Sequence, residues 1–260
     1  VPPLRSAIAF DLEGVSLSFD GQVAFEGVAL RIEPGEVVGL VGPSGAGKTS
    51  VLRLLNGLLQ PSSGRVLANG CDLAKLAPVD LRKLRTSIGS IPQGFGLVPN
   101  MRVAQNVLAG RLGHMGLLSS LRAVLHPGRA ALEEVHALLE DLGIGEKLFQ
   151  RADSLSGGEQ QRVAIARALY QGPSALLADE PLSALDPARA REILRLLIRV
   201  ARERGLTLVL SLHDIVLARE LVPRLVGLRA GCQVFDRPTE QVDDAEIEAL
   251  YGLARGATRG

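Results

Sequence analysis

The feature that most restricts what this 260-residue chain can become is the run Gly42-Pro43-Ser44-Gly45-Ala46-Gly47-Lys48-Thr49, followed by Ser50. A short apolar stretch, Glu36-Val-Val-Gly-Leu-Val41, precedes it, and a helical stripe of Val51, Leu52, Leu55, Leu58 and Leu59 comes after. A buried strand passing through a glycine-rich turn into a helix is the setting a phosphate-binding loop requires. Glycines let backbone N–H groups curl around phosphate oxygens, and the helix N-terminus adds partial positive charge. Lys48 is placed to reach the β- and γ-phosphates, and the Thr49 hydroxyl to ligate Mg²⁺. A shuffled chain of this composition would match the pattern roughly four times in a thousand, which outweighs a glycine-rich turn without chemistry.

Composition narrows the remaining classes. With 47% hydrophobic and 22% charged residues the chain has the profile of a globular protein. Lys+Arg 29 against Asp+Glu 28 leaves +1, and there are six Phe, two Tyr and no Trp. Neither a phosphate-neutralising surface nor base-stacking platforms are in evidence, so nucleic acid is not expected as a partner. No run reaches the roughly 18 apolar residues of a membrane-spanning helix. Asp11, Glu13, Asp20 and Glu26 stand where a signal peptide would be uncharged, so export is not expected. Cys71 and Cys232 lack metal-ligand spacing and read as reduced, buried thiols in a cytosolic protein.

Short β-rich runs alternate with longer helical periods, the pattern of an α/β protein with a largely parallel sheet. Pro61-Ser-Ser-Gly64 turns into the strand-like Arg65–Ala68. From about Leu81 to Tyr170 helical segments joined by long loops, notably Gly113 to Gly128, predict an inserted helical subdomain. Strands resume at Ala175–Ala178 and Thr207–Ser211, separated by an amphipathic helix over Ala188 to Arg204 that Gly205 terminates. Two short strands, Leu225–Leu228 and Gln233–Phe235, and a final helix from about Asp243 complete the reading.

Ala175-Leu-Leu-Ala178 ends in Asp179-Glu180, which sets two carboxylates at the edge of the sheet where α/β proteins bind ligands. Beside a phosphate loop, Asp179 is expected to hold Mg²⁺ and Glu180 to act as general base toward the attacking water. In Leu155-Ser156-Gly157-Gly158-Glu159-Gln160, Ser156 with Glu159 three residues on forms a capping box. The helix it starts runs through Tyr170, and its two glycines leave N–H groups bare, a second anion-attracting tip.

That last segment resembles the signature motif of ATP-binding-cassette (ABC) ATPases, and its order after Gln93 and before Asp179 matches the family. The resemblance implies an α/β P-loop NTPase core of ABC type with an inserted α-helical subdomain and an N-terminal antiparallel β region. It implies a single domain over 8–260, with the catalytic core about 8–92 and 172–260 and the helical signature subdomain about 93–171. In this family two ATP molecules are sandwiched in a head-to-tail dimer, each held by the phosphate loop of one copy and by Ser156, Gly157, Gly158 and Glu159 of the other. Gln93 resembles the Q-loop glutamine, a Mg²⁺ and water contact. Ser183-Ala-Leu-Asp186 resembles the D-loop crossing the interface, and His213 the switch histidine that touches the γ-phosphate and positions Glu180. Phe19 sits where the family stacks an aromatic ring on adenine.

Beyond the nucleotide motifs, Gly96–Pro99, Asn106–Gly113, Ala218–Glu220 and Gly227–Asp236 resemble the ATPase subunits of bacterial phosphonate importers. This implies an ATP hydrolase on the cytoplasmic face of the inner membrane. Its partners would be a second ATPase subunit, an integral permease and, indirectly, a periplasmic binding protein. Asn106–Gly113 would lie near the groove receiving the permease; the alternative is that Val103, Val107 and Leu108 are core residues of the helical part and no more. Pro92 and Gly94 around Gln93 depart from the family's aromatic and second Gln. Importers of phosphite, phosphate esters or polar amino acids stay open, as does a soluble ABC ATPase acting on DNA or the ribosome.

Overall fold

The computed structural model describes residues 6–19, 22–183 and 185–252. Asp20 and Gly21 of the Phe19 segment, Ala184 of the D-loop segment and the last eight residues of the expected domain lie outside the described residues. The chain opens with a hairpin, β1 (Phe10–Phe19) and β2 (Gln22–Ile32), then enters β3 (Val37–Val41) and α1 (Lys48–Leu55). β4 (Ser63–Ala68) and the two-residue β5 (Cys71–Asp72) return to the hairpin, and α2 (Pro78–Thr86) leads into β6 (Ile88–Ile91). Four helices follow: α3 (Val103–Leu108), α4 (Leu117–Leu125), α5 (Arg129–Asp141) and α6 (Gly157–Tyr170). The sheet resumes as β7 (Ala175–Ala178), α7 (Pro187–Arg204), β8 (Thr207–Leu212), α8 (Ile215–Leu221), β9 (Arg224–Arg229), β10 (Cys232–Pro238) and α9 (Asp244–Tyr251).

Two sheets result. The antiparallel one has the order β2-β1-β4-β5, and the other has the order β10-β9-β3-β8-β7-β6, parallel except at the β10 edge. Successive side chains on a strand point to opposite faces, so a strand buried on both sides feeds two cores. Val37, Val41, Leu176, Ala178, Leu208, Leu210 and Leu212 pack toward α3, α5, α6 and α7. Val38, Leu40, Leu177, Val209 and Val226 face the opposite way, against α1 and the antiparallel sheet. Arg224 joins the layers, bridging Glu36 and Asp236 and donating to the Arg31 carbonyl. Its hydrogen bonds to Asp236 above all, and then to Glu36, raise its pKa further.

The α/β expectation holds, including the antiparallel N-terminal region and the helices between β6 and β7. Val103, Val107 and Leu108 are buried, so for these three side chains the core alternative holds. Three details differ from the sequence reading. The first helix stops at Leu55 because Gly57 takes a left-handed φ of 64°, which leaves Leu58 57% exposed. The stretch Gly113 to Gly128 is not one long loop, for α4 occupies its middle. Cys71 and Cys232 are exposed rather than buried, since each begins an edge strand at a turn.

Candidate active site

The C-terminal ends of β3, β6, β7 and β8 converge on one edge of the parallel sheet, where such sheets bind ligands. From β3 the chain turns through Gly42, Gly45 and Gly47, all at positive φ (146°, 78° and 101°). Gly42 also needs to lack a side chain, because a Cβ there would sit 1.9 Å from the Leu228 carbonyl oxygen. Gly47 caps α1 without any side-chain hydrogen bond, so the first turn keeps its donors available. Pro43 O accepts from Ala46 N–H at 3.2 Å, Ser44 and Gly45 are exposed at the tip, and Ser50 follows in the first turn of α1.

Lys48 is only 4% exposed and donates from Nζ to the carbonyls of Gly42 (2.8 Å) and Pro43 (3.0 Å). Burial lowers its pKa, and the charges of Glu180 and Asp179 oppose that shift. The lysine therefore lies inside the loop it serves, within the field of both acids.

Thr49 Oγ1 donates to Asp179 Oδ1 at 3.0 Å. Asp179 N–H donates to Ile91 O, so the ladder between β6 and β7 continues through it. Consecutive strand residues would point to opposite faces; Glu180 escapes this by adopting φ 47°, a left-handed value that costs a side-chain-bearing residue about 1–3 kcal/mol. The turn brings its carboxylate to two partners at once. Gln93 Nε2 donates to Oε2 at 2.8 Å, and His213 Nε2 makes a short contact with Oε1.

Two residues that the sequence reading left unassigned also belong here. Ser211 Oγ lies 2.8 Å from both Asp179 Oδ1 and Glu180 N. Tyr251 Oη, in the last turn of α9, donates to the His213 carbonyl at 3.3 Å. Neither sits in a motif: Ser211 reads as part of an apolar strand, and Tyr251 as a helix terminus.

The other predicted residues lie apart from this cluster. Ser156 caps α6 and shares hydrogen bonds with Glu159, whose carboxylate also meets Lys147 at 3.1 Å. Gly157 and Gly158 form the first turn of that helix. Among the described residues no hydrogen bond joins 156–159 to 42–50. Asp186 is the N-cap of α7, accepting from Arg189 N–H at 3.1 Å. Phe19 is 47% exposed at the end of β1, while β2 of the same hairpin presses Phe25 beneath Gly47.

Comparison with known proteins agrees with this geometry. The family described as "ABC transporter" matches residues 25–183, more than half of the chain. "Phosphonates import ATP-binding protein PhnC" of Alcaligenes faecalis is 47% identical over 232 residues, covering 89% of this chain and 83% of its own length. "Phosphonates import ATP-binding protein PhnC 2" of Pseudomonas aeruginosa (strain UCBPP-PA14) is 48% identical over 246 residues, covering 94% and 91%. Among solved structures, the dimeric post-hydrolysis state of the ATP-binding cassette MJ0796 bound to ADP and Pi superposes with a TM-score of 0.74 at 31% identity, covering 88% of this chain and 98% of that one. The structure of cbiO1 from Clostridium perfringens, part of the ABC transporter complex cbiONQ, gives 0.78 at 28% identity, covering 92% of each. The strand-loop-helix around Lys48, the paired acids that follow β7 and these relatives lead to one conclusion: the chain belongs to the ABC transporter family of ATP-binding proteins.

Proposed function

We propose that this chain is the ATP-hydrolysing subunit of an importer for phosphonates. The observation that carries the catalytic part is the meeting of Lys48, Thr49, Asp179, Glu180, Gln93 and His213 at one sheet edge. Identity of 47–48% to proteins bearing the phosphonate-import name supports the solute class.

In this reading residues 42–50 cradle the triphosphate, with Lys48 supplying the charge that reaches the β- and γ-phosphates, and Phe19 stacks on adenine. Thr49 and Asp179 offer hard oxygen donors 3.0 Å apart, a set that suits Mg²⁺, with Gln93 beside them. Bound Mg²⁺ neutralises charge developing on the phosphates. Glu180 takes the proton of the attacking water, and Gln93 and His213 hold its two oxygens in aim. Ser156, Gly157, Gly158, Glu159 and Asp186 of a second copy close over the nucleotide, which explains why they stand away from the loop in one chain.

Within the domain, about 8–92 and 172–260 form the catalytic core and about 93–171 the helical subdomain. A cavity of about 470 Å³ opens between them, lined by Arg82, Arg85, Gly110, Gly113, Arg167 and Gln171, and it is our proposed seat for the permease. Among the described residues no helix is long and apolar enough to cross a membrane. We place the subunit at the cytoplasmic face of the inner membrane, peripheral to its permease, with the solute delivered by a periplasmic binding protein.

Uptake by the reconstituted complex tests the proposal. Alkylphosphonate uptake is expected to require ATP and to be lost with Glu180→Gln. Uptake of phosphite, phosphate esters or polar amino acids but not alkylphosphonate would overturn the solute class. ATPase activity stimulated by DNA or ribosomes would overturn the transport role.

A further inference from the structure

We propose that Ser211 is a positioning residue that sets the two adjacent acids, Asp179 and Glu180, in register for hydrolysis. The proposal rests on the reading of Glu180 as the base. β8 lies between β3 and β7, with Ser211 opposite Leu40 of β3 and one residue beyond the last pair with β7, Ala178 and Leu210. Its side chain is fully buried among apolar neighbours on that strand. A hydroxyl so placed must find partners, and it has two, each at 2.8 Å.

The direction of each bond follows from chemistry. The Glu180 backbone N–H is an obligate donor, so Ser211 Oγ accepts from it; the single hydroxyl hydrogen then goes to Asp179 Oδ1, which as a carboxylate only accepts. Thr49 donates to the same oxygen from the opposite element, α1. The chain of contacts is therefore Glu180 N–H to Ser211 to Asp179, with Thr49 closing it from the phosphate loop.

This matters because Glu180 holds a left-handed backbone at φ 47°, which takes its N–H out of the strand ladder. Without an acceptor there, the part-buried amide would be left unpaired, and the backbone would relax toward the extended form. Relaxation would swing the carboxylate away from Gln93 and His213. Among the described residues Ser211 makes no hydrogen bond of its own to residues 42–50, so alanine at 211 is expected to change nucleotide binding far less than the aim of Glu180.

The test is a double-mutant cycle in the full-length chain. Steady-state and single-turnover ATP hydrolysis are measured for wild type, Ser211→Ala, Glu180→Gln and the double variant, with ATP affinity measured alongside. Ser211→Ala is expected to lower kcat about tenfold with KM for ATP within twofold of wild type. In the Glu180→Gln background the same change is expected to cost less than twofold, because there is no base left to aim. Ser211→Cys, close in volume but a weak hydrogen-bond partner, gives the same fall in kcat should the alanine variant fold poorly. Normal kcat in the serine variants, or an equal fold-loss in both backgrounds, would overturn the positioning role. An undiminished Glu180→Gln enzyme would instead overturn the assignment of the base.

Discussion

Lys48, at 4% exposure, has exchanged most of its water for two backbone carbonyls. A triphosphate arriving over Gly42–Gly47 offers it charged oxygens in place of neutral ones, and charge-assisted bonds are about twice as strong. Lys48→Ala is therefore expected to weaken ATP binding by about a hundredfold or more, read by calorimetric titration; retention of micromolar affinity would contradict the role. At this scale the sequence is most legible where a residue type names its own chemistry: Lys48, Thr49, Asp179 and Glu180 are legible from the loop or strand end they occupy. Ser211 and Tyr251 are not, because the partners of Ser211 lie 31 and 32 positions away and that of Tyr251 lies 38 away, and nothing local marks them.

Elements were legible at their ends. Ser156 with Glu159 and Asp186 with Pro187 announce helix starts, and Gly205, at φ 60°, ends α7 where expected. The first helix and α4 misled because apolar spacing carried on past Leu55 and because glycines around α4 hid a short helix. The capping box of α6 yields a pH prediction. Hydrogen bonds from Ser156, backbone first, and then Lys147 lower the Glu159 pKa from 4.5. A carboxylate with a depressed folded pKa contributes stability that is present above its unfolded pKa and lost as pH falls through the folded one. Wild type should thus melt at higher temperature than Glu159→Gln at pH 7, with the gap closing as pH drops below about 4.5. A gap unchanged down to pH 3 would show that the charge contributes nothing to this helix start. Ser156→Ala should cost about 1 kcal/mol by chemical denaturation, the usual worth of such a cap.

For the molecule as a whole, what stands out is the separation of two glycine-edged helix tips. The loop before α1 belongs to the parallel sheet and its acids, whereas the tip of α6 is tied to Lys147 in the helical part. In the proposed function one copy lays Glu180, Lys48 and the Thr49–Asp179 oxygen pair along one side of the nucleotide, and among the described residues no hydrogen bond brings its own α6 tip to the other side. A second copy supplies that other side in the proposed function. The most direct test is the mass in solution of the Glu180→Gln chain, by light scattering with and without MgATP. The predicted result is a monomer without nucleotide and a dimer retaining two ATP with it; a monomer that binds MgATP just as tightly and never pairs would contradict the composite site.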